Sequence, residues 1–298
     1  MEKIHPLVRL HFIVFLWGFT GIVGKLISID ALPLVWLRMF FTIILIYIYL
    51  RLKKKSVSPD KRLLKTWIIT GVLITIHWYS FFHSIKLSNV AIGLSMLSTG
   101  TIFTAFLEPL FYKRRIKINE VMVSFIVVGC IFFIFQSEGQ HYLGILYGLL
   151  AAFLSAIFTL INGRIAHKAS GTVTIFYELL FGWIFLCFIM SSTNGFSIIS
   201  NTSTQDFFWI LILGGLLTAF PMIESMNLMR KITPFTLILS INLEPIYGII
   251  IAFFIFGEQE QMSVTFYVAT AVILLALIFN GIYEKKIMKK ENQSLKNA

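Results

Sequence analysis

Ile232–Gly257 reads ITPFTLILSINLEPIYGIIIAFFIFG, an apolar run that is interrupted near its middle by an amide, a carboxylate and a proline. Ser88–Lys113 reads SNVAIGLSMLSTGTIFTAFLEPLFYK and falls on the first stretch at an offset of 144 residues. The same offset matches Lys86 with Arg230, and each of these cations lies in a tight turn just before its stretch. The likeness is one of pattern more than of individual residues. It predicts that the chain consists of two related halves.

The rest of the chain is also divided into long apolar runs. Each run has roughly 17–25 residues, enough for a helix to cross a hydrocarbon core of about 30 Å. The ten runs are Leu7–Ile27, Ala31–Leu50, Lys65–Ile85, Ser88–Tyr112, Asn119–Phe135, Tyr142–Asn162, Thr172–Met190, Phe207–Leu228, Pro234–Phe256 and Met262–Ile282. We number them spans 1 to 10 and predict a membrane protein that is all helical within the bilayer.

The positive charges predict the orientation of these spans. Of the 25 Lys and Arg residues, 22 lie in alternate connections, whereas the other connections hold only Lys86. Because positive loops stay in the cytoplasm, both termini are expected to be cytoplasmic in a multi-pass protein of the cell membrane. The net charge of +11 then reflects contact with membrane lipid, and no separate basic domain is present for nucleic acid.

Each predicted half contains five spans, from 7 to 135 and from 142 to 282, and a basic cytoplasmic tail covers 283–298. An odd number of spans makes the second half enter the membrane from the opposite side. The predicted fold is therefore two inverted five-helix repeats, the architecture with which transporters alternate access to a site near the midplane.

Short motifs along the chain resemble those of drug/metabolite transporters of the EamA type, over about Leu10–Ile282. They are Phe15-Leu16-Trp17-Gly18 with Lys25, Leu37-Arg38, Leu97-Ser98-Thr99 with Phe103-Thr104-Ala105, and Ser240-Ile241-Asn242-Leu243-Glu244-Pro245 with Phe256-Gly257-Glu258. The resemblance implies a proton- or gradient-coupled exporter or exchanger of small metabolites, with a central cavity and with spans 5 and 10 at the periphery. Thr101 departs from the family pattern, because relatives often carry proline there as well as at Pro245, and this counts against symmetric hinging of spans 4 and 9.

Span 9 has the clearest polar face. Ser240, Glu244 and Tyr247 fall on one side of the helix, with Glu244 about 15 Å from the basic end and so near the midplane. Pro245 removes a hydrogen bond to Ile241 and frees that carbonyl. We predict that these side chains bind substrate or couple transport. The alternative is a structural glutamate at a kink.

Three further carboxylates lie inside spans near their basic ends: Glu108, Glu178 and Glu224. Ionisable groups at membrane depth are costly, so each is a functional candidate. Glu178 and Glu224 are predicted to bind substrate or protons in an acidic vestibule, or else to pair with nearby cations. Glu108 is predicted as a gate residue, with a substrate contact as the alternative. Thr101, on the polar face of span 4, joins the predicted binding residues.

Arg38 is the one guanidinium predicted deep in a span, and it can bind a carboxylate of the protein or of a substrate. Lys25, near the end of span 1, is expected to extend to the interface. His77 in span 3 is a candidate proton carrier, with hydrogen-bonded packing as the alternative. Aromatic side chains are predicted as the cavity wall: Trp17, Trp78, Phe81 and Tyr177.

No catalytic signature such as HExxH or GxSxG is present, and the residue pattern implies neither a metal nor a soluble cofactor. The predicted protein is a secondary active transporter and not an enzyme. Its substrate is expected to be a small organic metabolite such as an amino acid, exported or exchanged with protons as a candidate coupling ion. A non-transporting scaffold or receptor and an intramembrane enzyme are the alternatives, and a homodimer is compatible with the sequence.

Overall fold

The computed structural model describes residues 5–113, 115, 118–193, 195–199, 202–232 and 234–297, and of these it gives the backbone alone for 120, 198, 234–236, 239 and 284–297. The described residues form helices joined by short turns. They are α1 (Pro6–Leu26), α2 (Ala31–Leu52), α3 (Leu64–Leu87), α4 (Val90–Leu97), α5 (Gly100–Tyr112), α6 (Ile118–Ser137), α7 (Tyr142–Ile165), α8 (Gly171–Ser192), α9 (Phe196–Ile199), α10 (Thr204–Gly214), α11 (Phe220–Leu228), α12 (Pro234–Ile241), α13 (Glu244–Phe256) and α14 (Val264–Asn297). A π-helical turn, Gly215–Ala219, joins α10 to α11.

Eight helical segments of the described chain are long and apolar enough to cross a membrane. Two of them combine consecutive helices, since α4 with α5 and α10 with α11 each count as one segment. The other two predicted spans are α6, whose apolar part is Val121–Ser137, and the pair formed by α12 and α13. The chain is therefore a multi-pass helical membrane protein, in which each helix satisfies its own backbone hydrogen bonds.

Spans 4 and 9 are both broken, and at corresponding positions. The break lies at Ser98–Thr99 in span 4 and at Asn242–Leu243 in span 9, so that α4 and α12 have eight residues each and α5 and α13 have thirteen each. All four pairs of helix bounds differ by the predicted offset of 144 residues. The missing proline, which counted against symmetric hinging, therefore does not prevent matching breaks.

The two breaks have different local causes. In span 9, Pro245 lies in the first turn of α13 and cannot donate to the preceding turn. In span 4 the hydroxyl groups of Ser98 and Thr99 donate to the carbonyl oxygens of Ser95 and Met96, both at 2.6 Å. Side-chain bonds to the preceding turn compete with the helical backbone pattern. Two hydroxyls thus accompany the same break that a proline produces in the other half.

The broken spans cross each other antiparallel. The Asn242 amide nitrogen donates to the Thr101 hydroxyl at 2.9 Å, while α4 packs on α13 and α5 packs on α12. Both Thr101 and Pro245 are buried in the protein. Spans 4 and 9 therefore meet at their breaks and do not face lipid there.

Helices α6 and α14 form a separate antiparallel pair at one side. Asn119 donates to Asn280 at 2.7 Å near one end of the pair, and the Ser263 backbone donates to Glu138 at 3.0 Å near the other. Their shared apolar residues form a second core that reaches α4 and α7. Phe125, which is 75% exposed, points away from the bundle. This peripheral position is the one that the family resemblance implied for spans 5 and 10.

Close contacts mark two ends of the bundle. At one end Arg9 pairs with Glu224, and Arg230 donates to Ala166 and Ala169. We call this the basic end, because the cation-rich connections lie here. At the opposite end Lys25 pairs with Glu260, Asp206 accepts from Ser28, and Lys86 donates to Ile27. Gly144 of α7 packs against Ser88, where a larger residue would not fit.

Candidate functional site

A cavity of about 100 Å³, which we call the central cavity, lies where the two broken spans meet the other helices. Its walls come from α1, α2, α3, α7, α8 and α11 together with the breaks in spans 4 and 9. Leu97 and Gly100 border it from span 4, and Ile241 and Glu244 border it from span 9. The breaks in the two helical spans therefore lie where the cavity forms. This is where irregular backbone is tolerated at membrane depth.

Arg38 holds its guanidinium in this cavity by three contacts. Its Nε donates to the Thr218 hydroxyl at 2.8 Å, and its Cζ lies 3.9 Å from the Trp78 ring centre and 5.3 Å from that of Phe82. Thr218 belongs to the π-helical turn and itself donates to the Leu213 carbonyl, so its oxygen is oriented to accept from Arg38. No carboxylate of the described chain lies within 4.0 Å of the guanidinium. The positive charge is thus positioned without being neutralised.

Glu244 brings the opposite charge into the same cavity. It is the first residue of α13, where a carboxylate is favoured by the helix dipole, and it is 5% exposed. Its carboxylate has no hydrogen bond or ion pair to any described residue, although it shares the cavity with Arg38 and is electrostatically coupled to it. A buried charge in this position needs a proton, a water-filled space or a charged ligand.

His77 contributes an oriented imidazole. Its Nδ1 lies 2.7 Å from the Ala151 carbonyl oxygen, and its ring packs edge-on against Phe158 at 5.3 Å. Since a carbonyl oxygen can only accept, Nδ1 carries a proton, and Nε2 is the nitrogen left for the cavity. His77 therefore packs by a hydrogen bond, the alternative given above, and it also borders the cavity; its role as a proton carrier stays a prediction.

The aromatic residues predicted for the cavity wall divide into two groups. Trp17, Trp78 and Phe81 border the central cavity. Tyr177 does not, because it stacks on Trp67 at 4.9 Å and donates to the Val57 carbonyl at 2.5 Å. Tyr177 therefore connects α8 to the long connection after α2 at the basic end.

Three of the predicted binding residues of spans 4 and 9 lie beside the cavity and not on its wall. Thr101 accepts from Asn242, as described above, and Tyr247 packs edge-on against Phe15 at 5.4 Å. Ser240 is half-buried on α12. Of the polar face predicted for span 9, Glu244 is the residue that borders the central cavity.

Glu178 lies behind the cavity wall, between α3, α7 and α8. It is fully buried and accepts from the Thr70 hydroxyl at 2.7 Å and from the Asn162 amide at 3.2 Å. Asn162 also borders the central cavity, so it connects Glu178 to that cavity. The nearby Thr174 hydroxyl is buried and has no hydrogen-bond partner among the described residues. Glu178 is thus a buried carboxyl group with neutral donors and no cation within 4.0 Å among the described residues.

Glu224 and Glu108 lie elsewhere. Glu224 forms an ion pair with Arg9 and borders a second cavity at the basic end, and Glu108 is half-buried on α5. Glu178 and Glu108 border neither the central cavity nor this second one, so neither cavity brings the three carboxylates together, and the acidic vestibule stays a prediction. For Glu224, the alternative of pairing with a cation is the one observed.

Sequence reasoning missed Glu260. Its carboxylate is 1% exposed, bonds Lys25 at 2.6 Å, and accepts from the backbone N–H groups of Val90 and Ala91 at 3.1 and 3.0 Å. Lys25 is therefore paired with a buried carboxylate, and its expected extension to the interface stays a prediction. The sequence contains only a weak signal for Glu260, because the family-like motif Phe256-Gly257-Glu258 ends at a different acidic residue.

The comparisons with known proteins agree with this architecture. The model of the EamA-like transporter family matches residues 10–136 and again 142–282. The chain belongs to the EamA-like transporter family. An uncharacterized transporter of Archaeoglobus fulgidus is 26% identical over 208 residues, which cover 67% of this chain and 69% of the relative.

The fold of this EamA-like protein also has a counterpart among solved structures. One crystal structure superposes with a TM-score of 0.65 over 93% of this chain and 97% of its own, at 12% identity. That likeness shows the fold alone. In the part of the chain that the structure describes, no three His, Cys, Asp or Glu side chains are grouped as metal ligands would be. The family, as the motifs indicated, is one of membrane transporters.

Proposed function

We propose that this EamA-like protein is a secondary active transporter that exports or exchanges a small organic metabolite, such as an amino acid, by alternating access. The observation that carries the proposal is the pair Arg38 and Glu244, which place opposite charges in one buried cavity without an ion pair between them. Burying two charges in this way is costly unless a ligand completes the site.

The substrate that these groups fit carries both signs of charge. Arg38 can donate its free N–H groups to a carboxylate, and Glu244 can accept from an ammonium group. Trp78 lies against the guanidinium, and His77 borders the same cavity. A cavity of about 100 Å³ favours a compact molecule over an extended one. We therefore propose a small zwitterion.

The proposed mechanism uses ten spans arranged as two inverted five-span repeats. Matching helix bounds at the offset of 144 residues and the antiparallel crossing of spans 4 and 9 support this arrangement. If the basic end faces the cytoplasm of the cell, the Lys25–Glu260 pair closes the outer side. The structure then represents a state closed to the outside, and opening requires that pair to separate.

Proton coupling is part of the proposal. Glu244 borders the cavity directly, while Glu178 is joined to it through Asn162. Either carboxyl group can exchange its charge for a proton as the cavity changes its access, which would tie substrate movement to proton movement. His77, which also borders the cavity, is the candidate that passes the proton on.

Counterflow in proteoliposomes tests the function. Purified protein is reconstituted with an unlabelled neutral amino acid inside, and a radiolabelled one is added outside. We expect uptake above that of protein-free liposomes, and we expect the corresponding amine and carboxylic acid to compete less than the zwitterion. Uptake equal to that of empty liposomes, across a panel of zwitterionic metabolites, would reject the proposal.

The same assay separates the alternatives. Saturable binding of a metabolite without counterflow would identify a receptor or scaffold. Chemical conversion of the added metabolite, detected by chromatography, would identify an intramembrane enzyme.

A further inference from the structure

A second cavity, of about 1030 Å³, lies at the basic end between α2, α8 and α11. We call it the basic groove. Four cations border it, Arg9, Lys55, Arg230 and Lys231, whereas Glu224 is its one acidic lining residue. Because Arg9 and Glu224 form an ion pair, the other three cations carry charge that no carboxylate of the lining neutralises.

Arg230 is held in place in this groove. Its Nε and Nη2 donate to the carbonyl oxygens of Ala166 and Ala169 at 2.8 and 2.6 Å. Carbonyl oxygens orient a guanidinium without cancelling its charge. Lys55 and Lys231 are exposed at the same rim and are free to approach a ligand.

The N-terminus of α8 opens onto the same groove. Helix α8 has 22 residues, and its N-cap Ser170 makes no side-chain cap bond, so its first N–H groups have no capping oxygen from that residue. Thr172, in the first turn, is 3% exposed, borders the groove and has no hydrogen-bond partner among the described residues. A hydroxyl on a largely buried side chain and a helix N-terminus beside three cations are the parts of an anion site.

One wall of the groove is apolar. Leu45 and Ile46 of α2 and Phe220 and Ile223 of α11 line it, and Leu45 is 38% exposed. A soluble anion would gain no favourable free energy from contact with this apolar wall. An acyl chain would, because apolar area removed from contact with water or headgroups is favourable along its length.

We propose that the basic groove binds the phosphate of an anionic phospholipid. The phosphate lies at the N-terminus of α8, where it accepts from Thr172 and approaches Lys55, Arg230 and Lys231. One acyl chain follows the apolar wall between α2 and α11. Gly215 and Ala219 of the π-helical turn also border the groove, and this turn orients Arg38 through Thr218, so the bound lipid rests against an element of the central cavity.

The test uses the purified full-length protein in a maltoside detergent. Its unfolding temperature is titrated with dioctanoyl phosphatidylglycerol, dioctanoyl phosphatidylcholine or inorganic phosphate, and native mass spectrometry counts the retained lipids. We expect phosphatidylglycerol alone to raise the unfolding temperature saturably, with one molecule retained. An equal effect of phosphatidylcholine would overturn the proposed site, and an equal effect of inorganic phosphate would overturn the assignment to a lipid.

Two variants locate the binding. Lys55→Gln combined with Lys231→Gln should weaken the affinity for phosphatidylglycerol about 25-fold, since one interfacial lysine contributes about fivefold. Thr172→Val removes the hydroxyl without changing the charge and should also weaken binding. The matched control is Lys53→Gln with Lys61→Gln, which removes two exposed cations that do not border the groove.

The outcomes are distinct. An unchanged affinity in the control and a loss in both groove variants support the site. An equal loss in the control would mean that general surface charge attracts the lipid, and an unchanged affinity of Thr172→Val would remove the N-terminus of α8 from the site.

Discussion

The buried carboxylates of this protein differ mainly in the cations and hydrogen-bond donors that surround them. Glu224 has Arg9, Glu260 has Lys25 and two backbone N–H groups, and Glu178 has two neutral donors. Glu244 has none of these within the described residues, and it faces a cavity. Since an unsatisfied buried charge opposes folding, its presence is best explained by a ligand or a proton that it receives during transport.

Replacing Glu244 with a neutral residue should therefore impair transport without destabilising the protein. We expect Glu244→Gln to abolish counterflow while its free energy of unfolding stays within about 0.5 kcal/mol of the wild-type value or rises, because no partner is lost. Counterflow and thermal unfolding in detergent measure the two effects. Glu258→Gln, at an exposed position, is the control. Wild-type counterflow in Glu244→Gln would make Glu244 a packing residue.

Arg38 allows a second test at the same cavity. Arg38→Lys keeps the charge but loses the planar group that stacks on Trp78 and the Nε that bonds Thr218. We expect a counterflow rate at least tenfold below wild type in folded protein, since a lysine cannot bind a carboxylate bidentately. Thr218→Val should weaken transport in the same direction but less, because it leaves the guanidinium and its stacking. Normal transport by Arg38→Lys would exclude bidentate binding.

Among the helices, the contact between the two breaks is the feature most open to measurement. Asn242 and Thr101 are both buried, and their hydrogen bond joins spans 4 and 9. A double-mutant cycle with Asn242→Leu and Thr101→Val should give a coupling energy of about 0.5–1.5 kcal/mol, the usual range between helices in membranes. Thr101→Val with Ser80→Ala, a buried hydroxyl without a partner, should be additive. A coupling near zero in the first cycle would mean that the bond is not formed in the membrane.

At the end opposite to the basic end, the contacts of Glu260 connect three segments: α1, α4 and the turn after α13. We call this set of contacts the seal. Glu260→Gln should lower the free energy of unfolding by about 1–3 kcal/mol, because the charged acceptor of Lys25 and of two N–H groups is lost. It should also increase labelling of a cysteine placed at Thr20, on the cavity wall, by an impermeant maleimide added to intact cells. The background carries alanine at Cys130 and Cys187.

A charge exchange distinguishes this seal from a plain ion pair. Lys25→Glu with Glu260→Lys restores opposite charges, but a lysine cannot accept from the N-terminus of α4. We therefore expect no recovery of stability. Full recovery would show that the ion pair alone accounts for the contact, and labelling of Thr20→Cys that Glu260→Gln leaves unchanged would rule out a gate at this end.

For the molecule as a whole, the charge distribution predicts the orientation in the membrane. In the sequence, 22 of the 25 Lys and Arg residues belong to the termini and to alternate connections, so we expect the basic end to be cytoplasmic. In intact cells an impermeant reagent should label Ser197→Cys and should label Ser56→Cys only after permeabilisation. Both positions are exposed, and the native cysteines are again replaced. The reverse labelling pattern would invert the proposed direction of the closed state.

The sequence alone determined the membrane class, the offset between the halves, and which polar residues lie at depth. These follow from hydropathy, charge and spacing along one helix, which are properties of neighbours in the chain. The partners were decided by the tertiary structure. Lys25 meets Glu260 across 235 residues, Arg38 meets Thr218 across 180, and Tyr177 turns from the cavity to Val57. Such contacts depend on which helices become neighbours, and a span's own residues do not encode that.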